Sequence, residues 1–424
     1  MGNVFVIGIS IALLAWLWWK ADRPLAVLLT AAYLLRLLVL YADTYHFLGI
    51  PFSGSDTEDF HAATLAFLGS DGPIKTNYTY ILAVFYYVFG DWGRFMAQYF
   101  NVLLSFGAVL LLYWTMGVAG VSRRIRLFGV ALLSFMPATV CLSGVLLREA
   151  WVQFFVMLSV AAFVYWYVKA KLWAVPVCLA AAVAAILMHE GCIGVMAVFV
   201  VGFLVCRTWK TVGARTYIAT AVLVAVFLLP LLLFPELFLI KFTHAAADGN
   251  TLDVVPVVAG STYLLWMQKL GVGVRLLLSP VRMFYLLFSP LPFEWRGLTD
   301  VAVFCIDSII YIVLTVMMFL RPLLGKTVQL KRFIIYVVLM VTFVFSIGTS
   351  NAGTAVRHRA KFLPALVLAA TLSLEARRPE KQKTVVPPPG LPQMGEESTD
   401  CVVRQHIRKQ SLTSPFGEGP GGGV

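Results

Sequence analysis

The chain has 424 residues, of which 60% are hydrophobic and only 13% charged, with a formal net charge of +12 and a mean hydropathy of +0.86. A soluble domain with that much apolar surface would aggregate, so the composition points to a polytopic membrane protein. The apolar runs are continuous and do not alternate in about ten-residue units, which excludes a membrane barrel. The positive excess calls for no nucleic acid, because basic residues of multispanning proteins gather in loops kept in the cytoplasm.

A helix crosses about 30 Å of hydrocarbon with roughly 20 apolar residues, and such runs predict an all-α fold with about eleven transmembrane helices. In chain order they fall near 3–19, 24–42, 93–117, 127–146, 150–168, 172–188, 192–206, 216–235, 299–320, 333–349 and 362–375. The first resembles a signal peptide in length. It lacks a basic start and a small-residue cleavage site, and its positive charges, Lys20 and Arg23, follow it, so an uncleaved helix with the N-terminus outside fits better. Basic clusters then mark alternate loops: Arg123, Arg124 and Arg126; Lys169 and Lys171; Arg207, Lys210 and Arg215; Arg321, Lys326, Lys331 and Arg332; and Arg377, Arg378, Lys381 and Lys383. That alternation predicts a cytoplasmic C-terminus.

Residues 1–375 therefore read as one transmembrane domain. Within it, 43–92 is expected as the first outer loop, carrying two aromatic-rich juxtamembrane helices at Phe60–Leu68 and Tyr78–Phe89. The apolar piece Val272–Phe288 is broken by Arg275, Pro280 and Arg282, so 236–298 is expected as interfacial or re-entrant helices on the outer face. Residues 376–424, with Pro387-Pro388-Pro389 and a glycine-rich end, predict a disordered cytoplasmic tail. The six cysteines form no CxxC pair and mostly fall in apolar runs, which suggests neither a disulfide framework nor a metal site.

With the sides assigned, the outer loops collect the unusual charges. Ser55-Asp56-Thr57-Glu58-Asp59-Phe60-His61 puts Asp56, Glu58 and Asp59 within four positions of a charge-poor chain, with His61 beside them. Arg148-Glu149 and His189-Glu190 mark the next two outer turns, and ionisable groups at membrane depth usually line a polar cavity or pair with one another. The last outer loop carries Arg357, His358, Arg359 and Lys361 against the positive-inside rule. Snorkelling anchors would be one account; an anionic ligand is another, since guanidinium groups fit phosphate as a fork and ammonium groups as a point charge. Carboxylates and cations on one face suit transfer from a phosphate-bearing lipid to a hydroxyl. A carboxylate takes the acceptor proton, and the cations hold the leaving phosphate.

These residues resemble the GT-C superfamily of integral-membrane glycosyltransferases, of the mannosyl- and arabinosyltransferase kind, which use polyprenyl-phosphate sugar donors. Asp56-Thr57-Glu58-Asp59-Phe60-His61-Ala62-Ala63 is similar to that superfamily's acidic first loop. Tyr80–Gly90 followed by Arg94 and Asn101 resembles its aromatic helix and polar-started span, and Arg357–Pro364 its arginine-rich late element. The resemblance implies an inverting transferase in the bacterial inner (plasma) membrane, acting at the outer face on a lipid or glycan acceptor. Asp56 would be the base, with Glu58 or Asp59 as substitutes. Arg357, Arg359, Lys361 and Arg148 would hold the donor phosphate, supported by His61, Glu149, His189 and Glu190. The partners expected are membrane lipid and lipid-linked sugar, with no nucleic acid. Asp56, Glu58 and His61 offer ligands for a hard divalent cation, but some members of the superfamily need none, and no metal ligand is assigned.

Two other readings stay open. One is a polysaccharide polymerase or ligase acting on undecaprenyl-linked glycans, which would share the outer arginines. The other is a transporter or flippase of lipid-linked sugars, for which Arg36 inside the second span would be the natural site, although no internal repeat is visible.

Overall fold

The structure is a computed structural model that describes residues 2–51, 56–69, 76–206, 213–234, 261–270, 272–319 and 328–375. All of them belong to the compact unit Met1–Arg377. The tail expected at 376–424 and the first part of 236–298, up to 260, lie outside the described residues. Among the described residues every regular element is helical, and the single β contact is an isolated bridge between Thr262 and Asn351. The chain is an all-α polytopic membrane protein.

All eleven apolar stretches fall on helices. In order these are α1 (Gly2–Lys20), α2 (Arg23–Thr44), α5 (Gly93–Val118), the pair α6 (Arg123–Phe135) and α7 (Pro137–Ser143), α8 (Glu149–Lys169), α9 (Ala174–Met188), α10 (Ile193–Val205), α11 (Ala214–Leu233), α14 (Leu298–Phe319), α15 (Val328–Ile347) and α17 (Leu363–Glu375). Among the described residues, seven helical stretches are long and apolar enough to cross a membrane, or eight if the α6–α7 pair, bent by 58°, is one span. The bend falls at Met136-Pro137, where proline lacks the N–H needed to continue the helix. α9, α10 and α17 are apolar but shorter.

The helices between these spans set the site. α3 (Asp56–Leu68) and α4 (Asn77–Phe89) occupy the expected first loop, and α16 (Ala352–Ala360) precedes α17. α4 folds back on α5 through Gly90, at φ +55°, and a Cβ on Gly93 would lie 2.5 Å from the Tyr86 Cα. The turn thus depends on glycine for both its conformation and its closeness. Between 261 and 298 the described helices, chiefly α12 (Val272–Leu277) and α13 (Ser279–Phe288), are too short to cross.

α17 is the axis of the bundle. Every residue from Leu363 to Ser373 is buried, and the helix packs on α5, α6, α8, α14 and α15. A helix that is apolar all round belongs in an interior. By contrast α1 and α11 leave large apolar side chains such as Trp19 and Leu232 exposed, as lipid-facing helices do. α17 therefore fixes the chain that enters it, and that chain carries the late cationic segment.

Candidate active site

Arg357 is the hub of the site. Its guanidinium donates through Nε (3.2 Å) and Nη2 (2.9 Å) to Glu149 Oε1, and through Nη1 to Asp56 Oδ2. Glu149 is 3% exposed and Asp56 45% exposed, so one guanidinium links a carboxylate in the interior to one at the surface. Burial works against the charged form of Arg357, but Glu149 and Asp56 outweigh it and raise its pKa. Lys361 adds a second cation, with Nζ 3.7 Å from Glu149 Oε1 and 5.2 Å from the centre of the Phe345 ring. Burial pushes its ammonium down to about 7 despite the pull of Glu149. Glu149 Oε2 has no hydrogen-bond partner among the described residues.

Arg148 is the third cation. It forms no ion pair among the described residues, and its guanidinium lies 5.9 Å from the Phe60 ring centre on α3. Burial lowers its pKa. With Lys361 protonated, three cations face two carboxylates, which leaves one positive charge for an anion.

Helix geometry explains which predicted residues converge. At about 100° per residue, positions four apart share a face and positions two apart do not. Arg357 and Lys361 are four apart, and both reach Glu149. Arg359 lies between them and points the other way. It is fully buried against Asp307, donating through Nε at 2.9 Å, and it also donates to the carbonyls of Leu287 (2.8 Å) and Ser289 (2.7 Å) and to Ser308 Oγ (3.1 Å). The same rule separates the acids of α3. Asp56 turns to Arg357, whereas Glu58 forms a two-pronged pair with Arg94 of α5 (2.5 and 3.0 Å), whose hydrogen bonds hold its carboxyl below the usual range. Asp59 is exposed on the same turn. His61 Nδ1 lies 2.6 Å from the Tyr86 hydroxyl, away from the Arg357 hub.

His189 and His358 meet edge to face with centroids 5.0 Å apart, and both pack against Phe345, with centroids 4.7 and 4.9 Å from its own, while that ring also lies near Lys361. His189 caps the short turn Glu190–Cys192, accepting from the Gly191 N–H at 3.2 Å, and Glu190 is half-buried in that turn. The two histidines therefore form a wall beside the cations.

Positioning comes from polar residues that the sequence reading passed over or noted only for a motif. Asn101 of α5 is fully buried. It donates to the carbonyls of Val145 (2.7 Å) and Leu147 (2.9 Å) and accepts from Trp151 Nε1 (2.8 Å), which ties down the turn presenting Arg148 and Glu149. That turn is pressed onto α2, since a Cβ on Gly144 would lie 2.6 Å from the Leu40 nitrogen. α16 starts at Asn351, whose Oδ1 accepts from the N–H groups of Gly353 (2.8 Å) and Thr354 (3.3 Å) as an N-cap. Asp307 was missed, although an acid inside an apolar span is itself a signal. Arg36, which a transporter would use, binds Ser105 Oγ and the carbonyls of Ala32 and Ser134.

The fold and the charge cluster define a polytopic membrane protein with a buried ionic centre where α3 and α16 meet the bundle. The family model for dolichyl-phosphate-mannose-protein mannosyltransferases matches residues 25–246, just over half of the chain, and the chain belongs to that family. It is accordingly a membrane glycosyltransferase that uses a polyprenyl-phosphate sugar donor, within the GT-C superfamily. The matched segment contains Asp56, Arg148 and Glu149, while Arg357 and Lys361 lie beyond it. No curated protein and no solved structure matches the chain.

Proposed function

We propose that the chain transfers a sugar, with inversion, from a polyprenyl phosphate to a lipid or glycan acceptor at the outer face of a bacterial plasma membrane. The proposal takes the N-terminus as outside, the tail 376–424 as cytoplasmic and disordered, and 236–298 as interfacial on the outer face. The observation that carries the reading is Arg357 held between Asp56 and Glu149, with Arg148 and Lys361 beside it.

Asp56 is the base. Its carboxylate takes the acceptor hydroxyl proton as the acceptor oxygen bonds to the anomeric carbon and the bond from that carbon to the phosphate oxygen breaks. The polyprenyl phosphate leaves with the electron pair, and Arg148, Arg357 and Lys361 stabilise the charge gathering on it. In the substrate-free protein Arg357 neutralises Asp56. A donor phosphate arriving at Arg357 competes with that contact and frees Asp56 for the acceptor, so donor binding prepares the base. Glu149 stays in place to hold Arg357 and Lys361. Arg359, Glu58 and Asp59 have no part in the chemical step.

A transfer assay tests the assignment, using membrane extract as the source of donor and acceptor. Asp56→Asn should lower turnover by about 10²–10⁴-fold, the usual loss for a general base, with normal expression and membrane insertion. Full activity in Asp56→Asn would sink the assignment.

A further inference from the structure

A groove of about 650 Å³ opens along the antiparallel pair α10 and α15, with Met283 of α13 at its side. Gly194 faces Met340 and Gly202 faces Phe333, so the two helices run close together along its floor. Its walls are almost wholly apolar, formed by residues such as Val201, Val205, Tyr336 and Met340. One end, at Phe343, is half a turn from Phe345, whose ring touches Lys361 and the two histidines of the candidate site. The other end holds Gln329 and Arg332.

The polarity of the groove is the informative feature. Arg332 is the charged residue of its lining, and it lies thirteen residues along α15 from Phe345, about 20 Å away at 1.5 Å per residue. Arg332 is exposed and forms no ion pair among the described residues. Beside it, the Lys331 ammonium is buried with no hydrogen-bond partner among the described residues. Gln329 accepts from the Tyr167 hydroxyl at 3.2 Å, which leaves its amide N–H groups available. A lipid whose phosphate lies at the catalytic cations would direct only hydrocarbon toward Arg332, and hydrocarbon gains nothing from a guanidinium. An amphiphile of the opposite orientation satisfies both ends, with its chain on the apolar wall and its anionic head on Arg332.

We infer that the α10–α15 groove binds one anionic glycerophospholipid from the leaflet opposite the candidate site, with an acyl chain along Tyr336–Phe343 and its phosphate at Arg332. The lipid would brace α15, which carries Phe345 at the far end. This site is separate from the donor phosphate site and does not depend on the sugar or acceptor.

The test is native mass spectrometry of the purified full chain released from micelles containing equal phosphatidylglycerol and phosphatidylcholine. The expected result is one retained phosphatidylglycerol, with its preference over phosphatidylcholine cut about tenfold in Arg332→Gln and both lipids lost in Val201→Trp, which fills the groove. Arg332→Gln should keep its transfer activity in phosphatidylglycerol-rich membranes, which separates this site from the catalytic reading. Equal retention of the two lipids by the wild-type chain would overturn the inference. So would an unchanged preference in Arg332→Gln, or displacement of the bound lipid by one equivalent of polyprenyl phosphate.

Discussion

Lys361 and Glu58 show how burial divides residues of similar sequence character. Lys361 is 1% exposed, and its ammonium is faced by Glu149, Arg148, Arg357 and Cys192. Burial brings it down to about 7, so in the donor-free protein it loses its proton as pH rises through that value. A phosphate favours the ammonium form. Donor affinity should therefore fall with increasing pH above 7, by up to about tenfold per unit, the limit for one linked proton. Lys361→Met should flatten that profile, as read by donor binding titrations between pH 6 and 9; an identical slope in the variant would contradict the role. Glu58 makes a well-formed pair with Arg94 but is 62% exposed. Exposed pairs contribute about 0.2–1 kcal/mol, so Glu58→Gln should cost little stability and less than about tenfold in turnover. Loss of activity as deep as in Asp56→Asn would show that the base had been assigned to the wrong acid. Asn101→Leu should act differently, leaving the Leu147 carbonyl buried without a donor, at about 1–3 kcal/mol, while the Val145 carbonyl keeps the Leu147 N–H. Its thermal midpoint should drop, and donor affinity should weaken even where folding is restored by lower temperature.

At the scale of elements, the late cationic segment shows what was legible in the sequence and what was not. Composition and the breach of the positive-inside rule singled out Arg357, Arg359 and Lys361 together. Read as a loop, the segment gave no reason to separate them. It is helical from Ala352 to Ala360, and helical phase alone sends Arg359 away from its two neighbours. The acidic stretch behaves likewise, because α3 begins at Asp56 and divides Asp56 from Glu58. The apolar stretches were legible because hydrophobic length is a local property. Pairings such as Arg359 with Asp307 join separate helices, and no local pattern encodes them. That pair sets an element-scale prediction. Removing one partner of a buried ion pair costs about 3–5 kcal/mol, so Arg359→Leu should sharply lower the yield of folded protein in detergent. Arg359→Leu with Asp307→Leu should recover much of it, as read by size-exclusion profile and thermal midpoint. Equal loss in the double variant would show that the Leu287 and Ser289 carbonyl contacts matter more than the ion pair.

For the whole molecule, the site is an assembly of distant parts. Asp56 and Arg357 are 301 residues apart, and Arg357 and Glu149 are 208 apart. The buried α17 holds the late segment against helices whose early turns carry Asp56 and Glu149. The segment that matches the family contributes both carboxylates and Arg148, and the later part of the chain contributes the other two cations. A single guanidinium shared by the base and the donor phosphate is the central claim, and it gives opposite signs for binding and catalysis at one residue. The direct measurement is the affinity of purified wild-type and Asp56→Asn protein for sugar-free polyprenyl phosphate, taken in one detergent at one pH. With the competing carboxylate neutralised, Asp56→Asn should bind several-fold to about tenfold more tightly, up to about 1.4 kcal/mol, while failing to transfer sugar. Unchanged or weaker binding in Asp56→Asn would contradict the exchange of Arg357 between carboxylate and phosphate.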